Sequence, residues 1–138
     1  MRYLIDANSL SSDLLGYAKG HRNFYVIEDV IDEMRGSDGA QKIRAADIKT
    51  IHITKKHIDK LYEILEAHGK NLRLIRLFTN KGAADVLMLA VALADGDGQI
   101  RMFDDHDWTI VTRDKGLIET AGKYGIACLP ASGLMSAQ

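Results

Sequence analysis

Four acidic residues of this chain stand where a carboxylate can do chemistry. Asp6 ends a short apolar run, Tyr3, Leu4 and Ile5, and is followed by Asn8, Ser9, Ser11, Ser12 and Asp13, a polar cluster that reads as a helix start. Glu33 lies on a helix just after a second apolar run, Asp85 opens the most apolar segment of the chain, and Asp114 directly follows the run ending in Val111 and Thr112. Each has an ordinary explanation, since an Asp after a strand makes Asx-turns or caps the next helix, and a helix start favours negative charge. Together they ask for more. Carboxylates sharing a pocket repel one another unless a cation neutralises them, and an oxygen-only set without His or Cys suits Mg²⁺ or Mn²⁺ rather than zinc. The five histidines fall on separate elements without ligand spacing, and a lone cysteine on an apolar strand, Cys128, reads as a small buried hydrophobe.

The elements that must position these acids alternate. Residues 3–5 read as a first strand, and residues 9–19 as a helix with Leu10, Leu14, Leu15 and Ala18 at helical spacing before Gly20. Residues 24–27 read as a second strand. Residues 28–34 follow as a helix with Val30, Ile31 and Met34 on one face, ended by Gly36 and Gly39, and residues 40–46 as a further short helix. Residues 48–53 alternate as a half-buried strand, and Thr54 caps a helix to about Ala67 whose stripe is Ile58, Leu61, Ile64 and Leu65. Residues 72–78 fit either period and lean to helix. Residues 82–94 form a helix hydrophobic nearly all round, hence buried centrally. Residues 95–107, rich in Gly and Asp, read as a loop with a short strand at 100–103. Residues 108–112 read as a strand, 115–124 as a helix stopped by Gly125, and 126–129 as a last strand before Pro130 and a frayed tail. Strands alternating with helices imply an α/β fold with a parallel sheet covered on both faces, and the carboxyl ends of such strands are where ligands bind.

Composition sets the outer bounds. A chain of 138 residues, 46% hydrophobic, makes a single domain, 1–138, with a substantial core. A formal charge of −1 neither announces nor rules out a nucleic-acid partner. One cysteine makes no intrachain disulfide, and no charged leader with an apolar segment opens the sequence, so a cytoplasmic protein is expected. Residues 86–94, the longest apolar run, are too few to cross a membrane.

Four stretches in order, LIDANSL with Asp6 and Asn8, IEDVIDEM with Glu33, GAADVLMLAVALA with Asp85 and IVTRDKGL with Thr112 and Asp114, resemble the PIN-domain ribonucleases, most closely the toxin-sized VapC-type members. The resemblance spans nearly the whole chain. It implies a three-layer α/β/α sandwich with a central, mainly parallel sheet. It makes Asp6, Glu33, Asp85 and Asp114 the catalytic, metal-binding acids, with Asn8 and Thr112 as hydrogen-bonding supports. It further implies an RNA substrate, a homodimer and an antitoxin protein as partner. The chain departs from the pattern where Gly116 and Leu117 follow Asp114, a place where many VapC-type toxins carry another polar or acidic residue. Residues 35–81 and the loop acids Asp104, Asp105 and Asp107 match nothing in the family pattern.

The chemistry so implied is hydrolysis of RNA phosphodiester bonds, in which Mg²⁺ or Mn²⁺ activates water and offsets charge on the phosphate. Offsetting four site acids moves the formal charge from −1 to +3, and Lys81, Arg113 and Lys115 would then stand at the rim as phosphate contacts. Tyr17, Tyr25 and Trp108 are candidates for stacking on bases. Two other enzyme readings fit less well. A haloacid-dehalogenase-like phosphatase needs a second Asp at position 8, which is Asn. A response-regulator receiver needs a phosphoacceptor Asp after the third strand, where this chain has residues 50–54. A PIN-like module that has lost catalysis and only holds RNA or a partner is the alternative from the binding class.

Overall fold

Five short segments form strands in the computed structural model, which describes residues 2–20, 23–33, 39–67, 84–94 and 108–136. The segments are β1 (Arg2–Ile5), β2 (Phe24–Ile27), β3 (Lys49–Ile51), β4 (Trp108–Val111) and β5 (Ala127–Leu129). All pair in parallel, in the order β3-β2-β1-β4-β5. The helices are α1 (Ser12–Ala18), α2 (Glu28–Glu33), α3 (Gly39–Ala45), α4 (Lys55–Ala67), α5 (Ala84–Ala94), α6 (Lys115–Lys123) and α7 (Ala131–Ser136), with a 3₁₀ turn at Ala7–Ser9.

The crossovers from β1 to β2 to β3 step one way along the sheet, and those from β3 to β4 to β5 step the other way. Right-handed crossovers therefore place their helices on opposite faces. Contacts of α4 with α5 and of α5 with α6 make one layer, and α1 packs with α7 on the other side. The result is the three-layer α/β/α sandwich with an all-parallel sheet.

Helix α5 is buried from Val86 through Ala92 and packs on α4, β2, β4 and α6, as a helix apolar on every side must. Burial of Leu4, Ile5, Val26, Ile27, Ile110 and Val111 shows why β1, β2 and β4 read as continuous apolar runs: both their faces are covered. The third strand is shorter than its alternating pattern, because past Ile51 the chain turns to bond with Glu28 and His57 instead of continuing the ladder.

Two expectations change. The helix expected over residues 9–19 begins later, at Ser12, with Ser11 accepting the Leu14 N–H through its hydroxyl at 3.2 Å. The tail after Pro130 is not frayed. It forms α7, which buries Ala131 and Leu134 against the core, an i, i+3 apolar pair too short to register as a helical period. Residues 72–78 and 95–107 lie outside the described residues.

Candidate active site

The sheet reverses direction at β1, with β2 on one side and β4 on the other, and the crevice beyond the carboxyl ends of β1 and β4 is the place where such sheets bind ligands. Asp6 is the first residue past β1. Its backbone N–H donates to the Val111 carbonyl at 3.0 Å, so the ladder with β4 continues one residue beyond the strand and fixes where the side chain emerges. Thr112 is the first residue past β4, held from the other side by its N–H to the Leu129 carbonyl at 3.1 Å.

The Thr112 hydroxyl links two of the expected acids. It donates to Asp6 Oδ2 at 2.9 Å and accepts the backbone N–H of Asp114 at 3.1 Å. Asp6 is 3% exposed and Thr112 fully buried. Asp6 occupies the N-cap position of the turn Ala7–Ser9, yet its side chain makes no capping bond. Nor, among the described residues, does any Lys, Arg or His form an ion pair with it. Asp114 behaves differently: its Oδ1 accepts the Leu117 N–H at 3.0 Å and caps α6. The same oxygen lies 3.3 Å from where a Cβ at residue 116 would stand, so Gly116 leaves the Asp114 carboxylate its room.

Glu33 is the last residue of α2 and Asp85 the second of α5, and their side chains lie outside the described residues, as does Lys81. Arg113 and Lys115 flank Asp114 and are exposed. Asn8 is exposed on the turn beyond Asp6. Among the described residues no three His, Cys, Asp or Glu side chains gather as a metal set. What does meet is the Asp6 carboxylate and the Thr112 hydroxyl, with the Asp114 backbone N–H on the same hydroxyl. The buried Ser9 hydroxyl, three residues after Asp6, has no hydrogen-bond partner among the described residues. An oxygen-only set around an uncompensated buried carboxylate fits a hard divalent cation.

Ser9 was not singled out by sequence, where it is one of several serines at a helix start. The spacing Asp-x-x-Ser is nevertheless that of a reciprocal cap and places the two residues on one turn. A second pair on the same edge also escapes sequence reading. Glu28, just past β2, accepts the Ile53 N–H at 3.0 Å and pairs with His52 Nδ1 at 3.1 Å, tying the ends of β2 and β3 together. These two bonds hold the Glu28 carboxyl below its usual range. His57 is buried and accepts the Thr54 N–H at 3.0 Å, a cap made by a histidine.

Other candidates resolve as packing. Trp108 is buried under the Arg2 guanidinium and meets Tyr25 edge-on at 5.0 Å, and Tyr17 meets Phe24 edge-on at 6.0 Å. Burial pushes the Cys128 thiol up to about 11, which keeps it protonated and inert at neutral pH. A cleft of about 270 Å³ between α1 and α3, lined by Ser12, Leu15, Gly16, Lys19 and Lys42 among others, contains no carboxylate and stands apart from Asp6.

The fold and site thus define an α/β protein with an oxygen-lined switch point. Compared with protein-family models, curated proteins and solved structures, the chain matches none. No helix among the described residues is long and apolar enough to cross a membrane.

Proposed function

We propose that this protein is a metal-dependent endoribonuclease of the PIN type. The observation that carries the reading is Asp6: a carboxylate 3% exposed, at the switch point of a parallel sheet, not used as a cap and, among the described residues, not paired with a basic side chain. Buried charges are paired or coordinate metals. Asp6, with Glu33, Asp85 and Asp114, would hold Mg²⁺ or Mn²⁺, and the bound ion would supply water activation and charge neutralisation at the phosphate.

The protein's own groups do the positioning. Thr112 orients the Asp6 carboxylate through its hydroxyl and takes its own place from the ladder with β5. Asp114 is fixed at both ends, by its N–H to Thr112 and by the cap to Leu117. Arg113 and Lys115 stand beside it as exposed cations for the RNA backbone, contacts that position a strand without reading its sequence. An antitoxin partner and a homodimer belong to the same proposal and rest on the sequence resemblance, and a cytoplasmic setting rests on the single cysteine.

The experiment is cleavage of single-stranded and structured RNA with Mn²⁺ or Mg²⁺, with EDTA, and with the Asp6→Asn variant. Cutting that needs metal and is lost in the variant is the expected result. RNA bound but never cut would identify a binding module, and release of phosphate from a small ester would identify a phosphatase.

A further inference from the structure

We propose that the Ser9 hydroxyl is an oxygen ligand of the divalent cation that Asp6 binds, an inference that rests on the metal-dependent reading above. Ser9 is 3% exposed and its Oγ is buried without a hydrogen-bond partner among the described residues. A hydroxyl rotates freely to suit a neighbour, so one left unbonded in the interior forfeits its hydration for nothing the protein itself supplies. Such a group calls for an explanation, and an ion or water at the site is among the few available.

Its position identifies the site it serves. Ser9 closes the 3₁₀ turn Ala7–Ser9, and its N–H donates to the Asp6 carbonyl at 2.9 Å. Asp6 is the N-cap of that turn and Ser9 its last residue, so the two stand on one turn of chain at the end of β1. Both residues are buried to the same degree, and the Asp6 carboxylate leaves the ordinary partner of a capping acid unused. The neighbouring polar residues are spent otherwise: Asn8 is exposed, and the Ser11 hydroxyl caps α1. The turn packs against α2, the helix that ends at Glu33. A serine hydroxyl beside a carboxylate is a hard oxygen donor of the kind that Mg²⁺ takes in phosphate-handling sites.

The test measures Mn²⁺ and Cd²⁺ binding by calorimetry on the full chain, together with melting in EDTA, for wild type, Ser9→Ala, Ser9→Cys and Asp6→Asn. Ser9→Ala is expected to weaken Mn²⁺ binding by about tenfold or more, while its metal-free melting temperature stays level or rises, because alanine removes a polar atom that had no partner. Ser9→Cys, close in volume, should shift the preference from Mn²⁺ towards the softer Cd²⁺ by about tenfold or more. Wild-type Mn²⁺ affinity in Ser9→Ala, or an unchanged Mn²⁺ to Cd²⁺ ratio in Ser9→Cys, would overturn the assignment, and so would a lower metal-free melting temperature with unchanged affinity. Mn²⁺ binding that Asp6→Asn leaves intact would instead remove the reading beneath it.

Discussion

At the scale of single residues, Asp6 and Asp114 look alike in sequence and do opposite things. Asp114 spends an oxygen on the Leu117 N–H, so Asp114→Ala should lower stability by about 1 kcal/mol, the usual worth of a cap, as read from the urea midpoint. Asp6 caps nothing and carries a buried charge that no basic side chain compensates among the described residues. Asparagine in its place can still accept the Thr112 hydroxyl. Asp6→Asn should therefore raise metal-free stability, on the order of 1 kcal/mol, and lose the gain that Mn²⁺ gives the wild type by binding the native state. Thr112→Val keeps the shape but strands both the Asp6 acceptor and the Asp114 N–H. It should cost about 2 kcal/mol, which Thr112→Ser should largely restore. Glu28 gives a pH signature of defined sign. Its carboxyl is held low by the Ile53 N–H first and His52 second, so the stability it contributes is present above the ordinary value of 4.5 and is lost as pH falls through the lower native value. Acid unfolding of Glu28→Gln should show a shallower loss across that window.

At the scale of elements, the tail is the sharpest departure from the sequence reading and makes the plainest prediction. Leu134 is 2% exposed on α7, so Leu134→Ala should cost about 3 kcal/mol in urea unfolding, where a frayed tail would cost nothing. The tail misled because α7 has only six residues, fewer than two turns, and its burial comes from packing near α1, a contact across the whole chain that no local pattern encodes. By contrast β1, β2 and β4 were legible as apolar runs and α5 as an all-round apolar helix, because burial on every face leaves no polar position to break the run. The same logic explains the site. That Asp6 and Asp114 end strands could be read from the chain, whereas Thr112 bridging them depends on β1 and β4 being neighbours, which strand order alone decides. Ser9 was illegible for a related reason: a serine near a helix start is ordinary until its burial and missing partner are seen.

At the scale of the molecule, the order β3-β2-β1-β4-β5 turns residues far apart in sequence into neighbours, and Asp6 and Thr112 meet where the crossover direction reverses. Helices pack on both faces of the sheet, and Arg113 and Lys115, which flank Asp114 just past β4, are exposed. The proposed function requires a divalent cation on Asp6 at the carboxyl edge of the sheet. It is tested most directly by a crystal structure of the protein soaked in Mn²⁺, with the ion located by its anomalous scattering. The expected result is a peak in direct coordination distance of the Asp6 carboxylate, with Asp114, Glu33 and Asp85 gathered around the same peak. A map in which Asp6 touches only Thr112, or in which Asp85 points away from Asp6 and the manganese lies elsewhere, would contradict it.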